Sequence, residues 1–335
     1  MTILTELSDL LRAERETADA DALDRLARAY LVTFGRVAPF IDGLAEWLES
    51  NPDANIDQLK RSAAYRNLMA TVSEELDDYE AIYANIVDQA ATESARAGLS
   101  GGQALLLAAL ALAMGLEEVP TDMLENPTPD ALEFLAGYLD RNEPLHQRIN
   151  ALSGYHADQI AAGIVERVGL GQNPRTIAAW ITNAYGMPLT DALRTARTVQ
   201  LYSYRQAESA HYVANADLLE GVMWSAQLED DRVCMSCVTL HGQIFPVGTI
   251  ANDHHNGRCA MIPVVKGAGK PIDLTGLDWF AQQDETRQKV MMGGSAWEAW
   301  QEGKFDLSQV SQPYNDPVYG EMRREASLKD LIGSE

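Results

Sequence analysis

All three cysteines of this chain and three of its six histidines lie in 26 consecutive positions, "CMSCVTLHGQIFPVGTIANDHHNGRC", from Cys234 to Cys259. Thiols and imidazoles crowded this way suit a metal site, a redox pair, a catalytic thiol or a buried apolar cluster, and each makes its own demand on the local fold. Cys234-x-x-Cys237 places two sulfurs on one tight turn, the commonest half of a structural zinc site. Cys259 offers a third donor, and His254, His255 or His241 a fourth. Thiolates and neutral imidazole fit zinc, or a close substitute such as iron, better than magnesium or calcium. Four protein donors leave no position for water, so the site reads as structural rather than catalytic.

The rivals make different demands. A thioredoxin-like pair needs its Cys-x-x-Cys at a helix N-terminus after a βαβ unit, whereas here the motif is read between two strands. A catalytic cysteine lacks any local protease signature. Three neighbouring core cysteines are the bland reading. The acidic triplet Glu229–Asp231 next to the motif reads as a solvated turn, since adjacent residues on an extended chain face opposite ways, with Asp231-Arg232 pinning it. His146, His156 and His211 stand singly on helices, without a partner at metal spacing, and read as surface or core packing.

The rest of the chain is helical in pattern. Residues 3–14, 20–50 and 56–97 carry apolar positions three or four apart, as at Leu23, Leu26, Ala29, Tyr30 and Phe34. "SNPDANID" predicts a turn and a fresh helix start, "GLSGG" (Gly98–Gly102) a helix end, and "NPTPD" (Asn126–Asp130) a cap. The aliphatic run "ALLLAALALAMGL" (Ala104–Leu116) is shorter than the ~20 residues of a membrane span and reads as a helix buried in protein. A helix from about His146 to Val168 follows. Asn173-Pro174 then opens another, and Thr190 or Asp191 caps a long one.

From Gly221 the texture alternates, with Val222, Trp224 and Ala226 on one side, and "QIFPV" and "AMIPVV" complete three short strands. Short helices around Trp279, Trp297 and Trp300 precede a polar tail. The expected class is mainly α, α+β overall: a helical body at 1–98, a helical region with the apolar helix at 99–170, helices at 171–216, a small metal-stapled β module at 217–266, and short helices with a tail at 267–335. With 26 basic against 49 acidic residues, the formal charge of −23 argues against broad binding to nucleic acid. Three cysteines and no signal-peptide pattern point to a reducing compartment.

Residues Trp224–Val265 together with "TGLDWFAQQDETRQKVMMGGSAWEAWQEGKFDLSQV" resemble the phage head morphogenesis proteins, the minor head or minor capsid family typified by the F protein of phage Mu. The helix "ALRTARTVQLYSYRQA" (Ala192–Ala207) is similar to the family's "ARTE" helix, with Val199 where a glutamate is common. The resemblance covers roughly residues 175–330. It places Cys234, Cys237, His254 and Cys259 at the family's cysteine and histidine positions. Gly257 stands where the usual close has its first cysteine, a gap that His255 would fill as an alternative ligand. What it implies is a low-copy virion component with no established catalysis, in which the zinc read from the donor set would be structural. Such a protein works at or near the portal, touches portal, major capsid or scaffold protein and locally the packaged DNA, forms an oligomer in the virion and uses no membrane. Its place is the phage head, after assembly in the host cytoplasm. The alternative is a metal-dependent hydrolase or nuclease built on Asp253 and the His254-His255 pair.

Overall fold

Two long helices carry much of the chain in the computed structural model, which describes residues 3–128, 137–140, 142–229 and 232–333. Helix α1, Ile3–Ser50, is continuous where the sequence suggested two helices. The turn at "SNPDANID" forms as expected: Asn55 and Gln58 make a reciprocal capping box that starts α2, Ile56–Arg61. Ser62 then turns extended (φ −65°, ψ 145°), and its hydroxyl accepts the Tyr65 amide at 3.1 Å, so α3, Ala63–Met114, begins anew.

Helix α3 does not stop at "GLSGG". Those glycines are sites of close approach. A Cβ on Gly98 would fall onto the Tyr204 carbonyl and one on Gly101 onto the Tyr204 hydroxyl, while one on Gly102 would come within 2.8 Å of the Glu208 carbonyl oxygen. Each glycine forfeits up to about 1 kcal/mol of helix propensity, and the contact with a neighbouring helix offsets it. The call of a cap at "NPTPD" extends to residues 129 and 130, outside those described.

The expected helix from His146 to Val168 is two: α4, Pro144–Asn150, and α5, Leu152–Gly169, which meet at Ala151. Asn173 caps α6, Pro174–Tyr185, by accepting the Arg175 amide at 2.9 Å. Helix α7, Met187–Ala214, starts before the expected cap at Thr190 or Asp191. Pro188 sits in the first turn, where its missing N–H costs nothing, and Asp191 instead meets Arg194 at 2.9 Å.

The chain divides into two compact units, Met1–Ala18 with Ala91–Gly137 and Thr198–Glu335, and Asp19–Ala90 with Tyr138–Arg197. The second is all helical. Tyr30 packs its ring 5.7 Å from Tyr185, Tyr79 stacks 6.4 Å from Tyr83, and Leu26, Leu68, Val72, Ile160 and Ile181 are buried. His146 and His156 pack there beside carboxylates, at 2.9 Å from Asp88 and 3.8 Å from Asp191.

The first unit holds all the strands described. β1 (Leu219–Ser225), β2 (Ile244–Phe245) and β3 (Ala260–Val265) form an antiparallel sheet of order β2-β1-β3, with Val222 opposite Phe245 and Trp224 opposite Met261. The alternation expected of β1 is only half the picture. Met223 is as buried as Val222 and Trp224, because both faces of the sheet are covered. Leu106, Ala109 and Leu110 of α3 join Trp224, Ile262 and Phe280 in one core. An 18-residue stretch of α3 reaches a mean hydropathy of 1.7, and 39% of it is buried. The aliphatic run therefore has one face in the core, while Leu112, Met114 and Leu116 at its end are exposed.

Three short helices follow, α9 (Gly276–Ala281), α10 (Glu285–Met292) and α11 (Gly294–Gln301). Where the sequence suggested a polar tail, β4 (Ser311–Asp316) and β5 (Gly320–Glu325) make a hairpin, and α12, Leu328–Ile332, ends the described chain. The protein is mainly α, with two small sheets.

Close packing at the α3 glycines has a measurable consequence. Gly98→Ala destabilises the protein by roughly 1–3 kcal/mol in urea unfolding, despite alanine's better helix propensity. Gly35→Ala, in α1 with nothing within 4 Å of the added carbon, stabilises by up to about 1 kcal/mol.

Candidate metal centre

The cysteine motif, expected on a tight turn between two strands, instead opens a short helix, α8, Met235–Leu240, so the helix N-terminus that a thioredoxin-like pair needs is present here. Cys234 is its N-cap: the sulfur accepts the Cys237 amide at 3.4 Å, which folds the two thiols towards each other. Every residue of α8 is buried. Across the module, Asp253 to Cys259 return in a tight turn. The Gly257 amide donates to the His254 carbonyl at 2.9 Å, and Asn256 takes a left-handed φ of 60°, which asparagine tolerates better than most residues.

These two segments bring together the donors the sequence nominated. Ligand atoms of Cys234, Cys237 and His254 lie within 4.8 Å of one another, as do those of Cys237, Asp253 and Cys259. A tetrahedral ion with metal–sulfur bonds of about 2.3 Å needs donors about 3.8 Å apart, so small side-chain adjustments suffice, and the cluster can hold a metal ion. The His254 Nδ1 lies 2.9 Å from the His255 carbonyl oxygen. A carbonyl only accepts, so Nδ1 carries the proton and Nε2 is left to act as a ligand.

Electrostatics point the same way. Hydrogen bonding from Cys237, followed by that from His254, pulls the Cys234 thiol down to about 5, and the same Cys234 contact raises His254 to about 10. Cys237 is pushed up, first by Cys234, then by Cys259 and by burial. A Cys234 thiolate thus faces a His254 imidazolium, and a bound cation would displace a proton from His254 and one from Cys237.

The other candidates lie elsewhere. The His255 Nε2 sits 3.4 Å from Asp316 in the hairpin, and its ring meets Tyr319 edge-on. His241 is buried, with Nδ1 accepting the Ala226 amide at 3.0 Å. Glu229 accepts the Trp279 indole N–H at 3.2 Å. Asp230 and Asp231 are outside the described residues.

Sequence reasoning missed the shell around the donors. Arg205, from α7, is buried with Asp253: its Nη1 donates to Asp253 Oδ1 at 2.8 Å and its Nη2 to the Cys259 carbonyl at 2.7 Å. Asp253 Oδ2 accepts the Cys259 amide at 3.2 Å. The hairpin supplies the other wall. Glu325 accepts the Met235 amide at 3.0 Å, and Ser236 donates to Ser311 at 2.8 Å. The Asn252 side-chain amide donates to the Tyr319 carbonyl at 2.9 Å and to that of Glu321 at 2.6 Å. The available signal was slight: Arg205 is one of two charged residues, with Glu208, in the stretch Thr198–Tyr212.

The room beside the cluster is small. A cleft lined by Gln227, Arg232, Cys234, Cys237, His254 and Cys259 encloses about 20 Å³, enough for a single water. No protein-family model, curated protein or solved structure matches the chain.

His241 gives the site a pH signature. Burial, followed by the charge of Arg12, lowers its pKa from 6.5 to about 4. A base with a depressed pKa adds stability that is complete above the unfolded value and fades as pH falls from 6.5 towards 4. Unfolding free energy in metal-free protein should therefore fall across that window by up to about 3 kcal/mol, and His241→Asn should flatten the decline.

Proposed function

We propose that this chain is a phage minor head protein, a low-copy structural component of the virion acting in capsid assembly at or near the portal, with a zinc ion stapling its small β module. The observation that carries the reading is a pair of donor groups that share Cys237, one with Cys234 and His254 and the other with Asp253 and Cys259. Cys234, Cys237, His254 and Cys259 stand at the positions by which the chain resembles that family. Three sulfurs and one imidazole favour zinc among the abundant divalent ions. The module shares its core with α3 and the helices after β3 rather than enclosing one of its own, and metal binding would add folding free energy to it.

The cleft of about 20 Å³ favours a structural ion over a catalytic one, because a substrate would need an open coordination position and room beside it. Asp253 is held by Arg205, and His255 is turned to Asp316, which leaves a hydrolase without a ready base at the ion. The module offers a rigid surface for portal, capsid or scaffold protein, and the charge of −23 limits contact with packaged DNA to local patches. Assembly would take place in the host cytoplasm and the product would reside in the phage head.

Metal analysis of purified protein should return one equivalent of zinc. Cys234→Ser and Cys259→Ser should lose it, with the tryptophan fluorescence of the module shifting as Trp224 meets water. A full equivalent retained by Cys234→Ser overturns the zinc assignment. Co-expression with a phage portal protein should give a complex that survives gel filtration. Cleavage of DNA or peptide, abolished in His255→Ala, would decide for the hydrolase instead.

A further inference from the structure

We infer that Arg205 and Asp253 form a positioning clamp that builds the Cys259 half of the metal site before any ion arrives. The inference rests on the structural-metal reading for its purpose but on the protein's own hydrogen bonds for its geometry. Arg205 and Asp253 have side chains only 5% and 1% exposed, and they meet at 2.8 Å. The guanidinium is a planar fork, and its two ends do different jobs here. Nη1 takes the carboxylate, while Nη2 takes the carbonyls of Cys259 at 2.7 Å and Gly257 at 3.3 Å. The second carboxylate oxygen accepts the Cys259 amide at 3.2 Å and lies 4.0 Å from the Cys237 sulfur. Cys259 is thus gripped at both its N–H and its C=O by one ion pair, whose Arg205 end is anchored on α7, outside the module.

Two further features fit a clamp rather than incidental packing. Gly257 faces the carboxylate so closely that a Cβ there would fall onto it, so the loop is shaped around Asp253. The charge also matters. Three thiolates and Asp253 carry four negative charges against the two of a divalent ion, and Arg205 offsets part of the excess at hydrogen-bond range. Lysine would keep that charge but offers a point donor in place of the fork, and so cannot serve carboxylate and carbonyl in one plane. Asp253 lies among the potential donors, yet both its oxygens are engaged, which places it behind the ligands as a positioning residue.

Two measurements on the full-length protein test the clamp. In chelator-stripped protein, hydrogen exchange over residues 253–259 should be slow in the wild type and at least tenfold faster in Asp253→Asn and Arg205→Lys. With Co²⁺ as the probe, both variants should bind roughly 10–100-fold more weakly, with displaced d–d bands, while far-UV circular dichroism stays that of the wild type. Asp253→Asn preserves side-chain shape and carries the test if Arg205→Lys does not fold. Wild-type exchange and wild-type cobalt affinity in either folded variant overturn the clamp. If wild-type protein gives no thiolate-to-cobalt absorption but Asp253→Asn still accelerates exchange, the metal reading fails and the clamp stands as a purely structural device.

Discussion

A guanidinium sealed from water must find its acceptors inside the protein, because an unpaired buried charge costs several kcal/mol. Arg205 finds its acceptors in one place, the loop from Asp253 to Cys259. Much of the first unit's geometry follows. Helix α7 fixes Arg205, Arg205 fixes the loop, and the loop fixes where β3 begins, since Ala260 pairs with Ser225 directly after Cys259. Once β3 is set against β1, Met261 and Ile262 enter the core that Trp224 and Phe280 share. A polar contact thereby sets the register of an apolar core, the reverse of the usual order of importance.

The C-terminal hairpin completes the arrangement from the opposite side. Its residues hold both halves of the donor cluster: Glu325 and Ser311 support the start of α8, while Tyr319, Glu321 and Asp316 support Asn252 and His255. Glu325 is itself pushed up in pKa, by burial first and by the neighbouring Cys234 second. Segments more than 70 residues apart in sequence, such as Ser236 and Ser311, thus converge on a site whose own donors span 26 positions.

How much of this could be read from the sequence follows from the range of each interaction. The mainly helical class, the three strands and the clustering of cysteine and histidine rest on local patterns, and these were readable. The helix at Met235–Leu240 was not, because six buried residues show no periodicity to separate a helical turn from a strand. "GLSGG" misled because glycine serves both to end helices and to admit a neighbour, and only Tyr204 and Glu208, about a hundred positions on, reveal which. The hairpin was read as a tail because "SQPYND" and "GEMRRE" are largely polar. One of its few apolar anchors, Met322, is buried. Asp253 was named only in the hydrolase alternative, beside His254 and His255, since nothing near it in sequence names Arg205 as its partner.

The space at Gly257 carries a consequence for how such a site can change over generations. With this backbone, a carboxylate at 253 and any side chain at 257 exclude each other. A side chain gained at 257 would drive the Asp253 carboxylate from its place, and losing Asp253 first would strand Arg205. A change at any one of positions 205, 253 and 257 therefore calls for compensation at the others.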